Sequence, residues 1–199
     1  MRKLIMKMSI SIDGFVGSGN AESNWIFKSS DETSKAWILE RLLEAGLIAM
    51  GRKTFEYISS YWPTATGPLA APMNEIPKAV FTQNGFKSNI LPDAELSPAT
   101  ASWAKARIFD GDLAAEIKKL KSEPGKPIYA LGGAGFMRNL IATGLIDEYQ
   151  LVTHPLVFGG GQAIFSGVAQ SLDLKLADVK AFPGGIVTHI YHPAGGNSL

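Results

Sequence analysis

Two short apolar runs, Leu47 to Met50 and Ile128 to Leu131, each break off at glycine and pass into residues with helical spacing. A strand with no polar side has to be covered on both faces, which is the situation of a parallel strand beneath crossover helices. The rest of the chain agrees with that reading. Leu4, Met6, Met8, Ile10 and Ile12 alternate with polar residues, the period-two signature of a strand with one face buried, closed by Asp13 and Gly14. From Asp31 to Ala45 the apolar positions Ala36, Trp37, Leu39, Leu42 and Leu43 mark a helix, with Ser29, Ser30 or Asp31 as N-cap and Gly46 as stop. Thr54 to Ser60 reads as a short helix. Trp62 to Pro77 holds four of the eleven prolines and no periodicity, so it reads as a surface loop.

Strands are then expected at Ala79 to Thr82 and Arg107 to Phe109, with an irregular proline-containing stretch between them. A helix follows from Asp112 to Lys121, a strand from Pro127 to Leu131, and a helix from Gly135 to Thr143. Consecutive strands at Ile146 to Thr153, Asp173 to Phe182 and Ile186 to His192 end the chain. The expected fold is one α/β domain over residues 1–199. Its central, mostly parallel sheet is flanked by helices and finishes in an antiparallel hairpin.

Composition narrows the chemistry. Nineteen Lys plus Arg against eighteen Asp plus Glu leave a charge of +1, so no global field draws the chain to nucleic acid or an anionic membrane. The absence of cysteine excludes disulfides, thiolate metal sites and a thiol nucleophile. His154, His189 and His192 form no metal-ligand pattern, and no metal is expected. The first residues carry Arg2, Lys3 and Lys7 and lack a continuous apolar run, and no segment reaches the ~20 apolar residues of a membrane helix. A cytoplasmic protein is expected.

Three places carry chemistry. Gly132, Gly133 and Gly135 open a helix after an apolar strand, where free N–H groups and the positive dipole end can hold a phosphate. Their Gly-Gly-x-Gly spacing is neither the dinucleotide fingerprint nor a Walker A loop, so the alternative is a simple turn. Gly51, Arg52, Lys53 and Thr54 deliver two cations to a helix N-terminus, where the macrodipole disfavours them unless an anion binds. The alternative is pairing with surface carboxylates. Thr82, Gln83 and Asn84 end the next strand without the acid that reads a ribose 2′-hydroxyl, which favours a 2′-phosphate. Gly17, Gly19 and Gly159 to Gly161 read as loop punctuation.

With these residues assembled, the chain resembles the dihydrofolate reductase superfamily. Met50 to Glu56, Thr82 with Gln83, and Ala130 to Phe136 carry the likeness. Ser11 to Val16, Gly144 to Glu148 and His154 to Gly161 bring it closest to the C-terminal reductase domain of bifunctional riboflavin-biosynthesis deaminase/reductases.

The resemblance implies a dihydrofolate-reductase-like fold and an NADPH-dependent reductase of a small heterocycle, ribosylaminopyrimidine-like or dihydrofolate-like. By position, Gly51, Arg52, Lys53 and Thr54 would hold the pyrophosphate and 2′-phosphate, and Thr82 and Gln83 would line the adenosine side. Gly132, Gly133, Ala134, Gly135, Phe136 and Met137 would wrap the pyrophosphate, with a cis Gly132–Gly133 bond. Backbone at Ser9 and Val16 would face the nicotinamide. On the substrate side, folate reductases place a Trp five positions before a catalytic carboxylate. Here Trp25 is followed by Ser30 at that spacing and by Asp31 one position later. Asp31 is therefore either a displaced catalytic acid or a helix cap, and Asp13 either a second acid or a turn residue. Trp25, Phe27 and Phe15 would wall the substrate, and Thr153 matches a threonine that supports the acid. A homodimer with a small-molecule substrate is implied. The rival reading is a non-catalytic NADP(H)-binding or interaction module on the same fold.

Overall fold

The computed structural model describes residues 1–17, 24–83, 85–86 and 97–195. Asn84 and Gly19, singled out above, lie outside them. The strands are β1 (Leu4–Ser11), β2 (Leu47–Gly51), β3 (Lys78–Phe81), β4 (Arg107–Phe109), β5 (Ile128–Leu131), β6 (Glu148–His154), β7 (Leu174–Ala181) and β8 (Val187–Pro193). They form one sheet in the order β4-β3-β2-β5-β1-β6-β8-β7. All pairings from β4 to β6 are parallel, whereas β8 runs antiparallel to both β6 and β7. The helices are α1 (Trp25–Lys28), α2 (Glu32–Leu43), α3 (Arg52–Ser59), α4 (Ala70–Glu75), α5 (Pro98–Ala104), α6 (Leu113–Ser122) and α7 (Ala134–Ala142). This is the expected mostly parallel α/β sheet flanked by helices, with the antiparallel hairpin at its C-terminal edge. Among the described residues, no helix is long and apolar enough to cross a membrane.

The sheet separates two cores. Leu4, Met6, Met8 and Ile10 of β1 pack on one face against Ile117 and Leu120 of α6 and Met137 and Leu140 of α7. Ile5, Ile48, Met50, Val80 and Tyr129 face the other side, where Leu42, Phe55, Met73 and Trp103 cover them. Successive side chains point to opposite faces, so a mid-sheet strand feeds both cores. Each fully buried Leu, Ile, Phe or Met contributes about 1.5–3 kcal/mol.

Three sequence expectations need correction. β1 is buried on both faces, because it lies between β5 and β6 rather than at an edge, and even Ser9 and Ser11 are enclosed. The Trp62–Pro77 segment is not a surface loop. It holds a 3-10 turn, Trp62–Thr64, and then α4, which buries Pro72 and Met73. Asn74 pins it by donating to Trp62 O at 2.9 Å and accepting from Trp103 Nε1 at 2.7 Å. The stretch read as irregular contains α5, begun by Pro98 in its first turn and capped by the Ser97 hydroxyl. Both helices are too short to display a period, and proline obscured them.

Candidate active site

A cavity of about 290 Å³ lies toward the carboxyl ends of β1 and β5, lined there by Lys7 to Ser9, Tyr129, Leu131 and Gly132, the usual ligand position in an open parallel sheet. Its two walls are built differently.

One wall is backbone. β2 and β5 are neighbours, with Leu47 opposite Ile128 and Ala49 opposite Ala130, so Gly51 and Gly132 emerge side by side. Gly132 and Gly133 have φ of +63° and +77°. A Cβ added at Gly133 would lie 2.6 Å from Thr54 Oγ1, and one at Gly51 2.9 Å from Phe136 Cβ. Glycine is thus required both by conformation and by the closeness of α3 to α7. No side chain caps either helix. The first-turn N–H groups of Arg52 to Thr54 and of Ala134 to Phe136 are therefore uncapped at two adjacent helix starts, of which Thr54 and the preceding Gly132 line the cavity while Gly51, Gly133, Ala134, Gly135 and Phe136 lie outside its lining. Among the described residues there is no cis peptide bond. The cis Gly132–Gly133 bond implied by the resemblance is replaced by two successive glycines in the left-handed region, which turn the chain with trans peptides.

The remaining residues proposed for this wall divide. Ser9, Val16, Thr54 and Gly132 line the cavity. Arg52 reaches Glu56 on its own helix at 2.8 and 3.1 Å, and Lys53 is exposed. An exposed pair of this spacing is worth about 0.3–0.5 kcal/mol, little against a charge-assisted bond to phosphate. Thr82 sits at the end of β3 with its N–H on Phe109 O, and Gln83 is exposed. Met137 belongs to the core, and its N–H already donates to Gly133 O at 3.0 Å.

The opposite wall is side chain. Trp25 lines it, held edge-on by His154 and Phe158 at centroid distances of 5.0 and 5.3 Å. Phe27 points away and is 70% exposed. Phe15 bridges to Ala163, and Thr153 stands on β6 opposite Ile10, both outside the lining. The two acids also lie outside it. Asp31 caps α2: its Oδ1 accepts from the Thr33 and Ser34 N–H groups at 2.9 Å and from the Thr33 hydroxyl at 2.6 Å. Its Oδ2 accepts from Gly184 N–H at 2.6 Å. Led by the Thr33 hydroxyl, these donors pull the carboxyl down to about 2. Asp13 accepts from the Ser11 hydroxyl at 2.5 Å and from Gly159 N–H at 2.7 Å, which lowers its pKa and ties the end of β1 to the Gly159 loop.

The charged group lining the cavity, among the described residues, is Lys7. Its Nζ donates to Ser9 Oγ at 3.3 Å, and burial lowers it to about 8. Nearby His154 is 1% exposed, with Nδ1 2.8 Å from Ser29 Oγ. Burial, reinforced by the Lys7 charge, lowers it to about 4. The sequence reading missed Lys7 as a site residue because an alternating strand assigns its lysine to solvent. The available signal was the centrality of β1, which turns every polar position inward.

The sheet order and its helices define the dihydrofolate-reductase-like α/β fold, with two glycine junctions beside its cleft. Within that class the chain belongs to the RibD C-terminal domain family, whose model matches residues 2–188. It is 30% identical to uncharacterized protein YyaP of Bacillus subtilis strain 168 over 192 residues, covering 96% of this chain and 95% of that one. The fold is shared with a pyrimidine reductase-like protein of Corynebacterium diphtheriae (TM-score 0.68, 15% identity, covering 98% and 93% of the two chains). It is also shared with dihydrofolate reductase of Enterococcus faecalis complexed with NADP(H) and RAB-propyl (TM-score 0.62, 15% identity, 96% of each chain).

Proposed function

We propose that this protein is an NADPH-dependent oxidoreductase that reduces a small unsaturated, heterocycle-like molecule in the cleft. The observation carrying this reading is the twin junction: two adjacent strands run into glycine and then into uncapped helix starts that lie against each other. Such a cradle fits a dinucleotide pyrophosphate, because glycine permits close approach and the N–H groups supply the bonds. Thr54 and Gly132 to Phe136 would hold that group. Arg52 and Lys53 would exchange their surface setting for the 2′-phosphate, and Thr82 and Gln83 would flank the adenosine. Ser9 and Val16 would face the nicotinamide ring, and Met137 would act only by anchoring α7. When bound, the cofactor supplies the hydride. Lys7 holds a proton at Nζ within the cavity, and a group that titrates near the working pH is suited to donate it. The apolar wall around Trp25 excludes bulk water from that transfer. The nucleotide-bound relative of this fold supports the cofactor assignment.

One observation favours the second reading, a non-catalytic NADP(H)-binding module: both acids named from the sequence are committed to loop and cap bonds. Following NADPH oxidation with dihydrofolate, with ribosylaminopyrimidines and with uncharged unsaturated carbonyl heterocycles decides between them. Turnover of any of these supports the oxidoreductase. NADPH binding with no turnover of any unsaturated substrate supports the module. We also propose a homodimer. β7 closes the sheet with an exposed edge on which Leu176 and Val179 stand free. Light scattering should give twice the chain mass, and a monomer at micromolar concentration would overturn this assignment.

A further inference from the structure

Beyond the glycine cradle the cavity is almost wholly hydrocarbon and indole. Trp25, Ile38, Leu42, Ile58, Trp62 and Met73 converge from α1, α2, α3, the 3-10 turn and α4. Among the described residues, four polar side chains besides the two indoles also line it. Tyr129 Oη donates to Gln150 Oε1 at 2.7 Å inside the core, Ser9 Oγ receives Lys7, and Thr54 lies against Gly132 and Gly133 on the cradle side. Lys7 is the one charged group among the described lining residues, and an ammonium can only donate.

The cations of α2 do not serve this space. Lys35 pairs with Glu32 at 2.8 Å and Arg41 with Glu44 at 3.1 Å. The α2 N-terminus is closed by the Asp31–Ser34 capping box. A phosphate placed against the apolar wall would lose its water and gain one lysine, a poor exchange for a buried dianion. A ligand that presents N–H donors, as an aminopyrimidine or pterin edge does, would find no carboxylate among the described lining residues. The volume, at the lower end for small-molecule sites, admits one ring or a fused pair.

We infer that the substrate position accepts an uncharged, flat, largely apolar compound bearing a single acceptor such as a carbonyl, which Lys7 Nζ bonds, and rejects phosphate esters and amidine-like donors. This inference rests on the reductase reading of the same cleft and narrows it to a substrate class.

The test uses the full chain, titrated by calorimetry with coumarin, uridine 5′-monophosphate and 2,4-diaminopyrimidine, with and without saturating NADP⁺. Coumarin is expected to bind at least tenfold more tightly than either competitor. Lys7→Met should weaken coumarin about tenfold and leave NADP⁺ affinity within twofold, and Lys7→Arg should restore much of the loss. Circular dichroism of each variant separates this effect from unfolding. Equal or tighter binding of the monophosphate or the diamine, no coumarin binding at millimolar concentration, or a Lys7→Met protein that binds coumarin normally would each overturn the inference. The NADP⁺ arm reports independently on the cofactor. A protein that binds NADP⁺ but prefers the monophosphate refutes the substrate class alone. A protein that binds coumarin but no NADP⁺ refutes the reductase reading alone.

Discussion

The two walls of the cleft contrast in material and in how far apart in the chain their parts lie. The cradle wall comes from two strand-to-helix junctions, Gly51 to Thr54 and Gly132 to Phe136, and its chemistry is backbone. The opposite wall is assembled from side chains between Lys7 and Met73 on six elements, and it is apolar around one lysine. The difference teaches that a fold can fix one half of a cleft through conformation and leave the other half to be rewritten by side-chain substitution.

If the walls have these separate tasks, mutations should separate them. Lys7→Met should lower turnover by about 10²–10⁴-fold, the usual contribution of general acid catalysis, without weakening NADPH. In the unmodified protein kcat should fall as pH rises past about 8, the point to which burial lowers Lys7. A flat profile to pH 10 would remove Lys7 from the proton step. Gly133→Val should do the reverse and abolish NADPH binding, since its Cβ would stand 2.6 Å from Thr54 Oγ1 at a φ of +77°. Gly144 is the control, with a φ of +66° and open space around it. Gly144→Ala should cost only the conformational strain, ~1–2 kcal/mol, and leave binding intact.

Smaller effects test what stands outside both walls. Lys78 is buried with its Nζ on Asn74 O and Ser102 Oγ and over the Trp103 ring. Burial lowers it to about 7, from 10.5 when unfolded. Between those values the unfolded chain holds a proton that the native chain does not, so stability rises with pH through that window and the penalty is complete below pH 7. Urea unfolding at pH 7 and 9.5 should show this increment, and Lys78→Met should shrink it. Asp31→Ala should lower Tm by a few degrees through loss of the α2 cap while turnover stays unchanged. A large drop in turnover in a folded Asp31→Ala protein would return the acid to catalysis.

The two glycine junctions and the parallel sheet were legible in the sequence because glycine at a strand end and an unbroken apolar run are local demands. Leu47 to Gly51 and Ile128 to Gly133 state them within a few residues. The Asp31 cap was legible as one of two readings, and Ser34 settles the cap geometry by returning a bond to the Asp31 N–H. The opposite wall was not legible. Pro72 and Pro98 hid α4 and α5, and Phe27 resembles a wall residue by type yet points outward. Lys7 becomes a site residue only when β5 and β6 enclose β1. Such facts depend on pairings between residues more than a hundred positions apart.

Trp25 and Trp62 both line the cavity, so their fluorescence reports its occupation. The most direct measurement is a titration of the full chain with NADPH and NADH in parallel. Saturable quenching by both, with NADPH bound more tightly, is the predicted result. No quenching by either nucleotide, or tighter binding of NADH, would contradict the account.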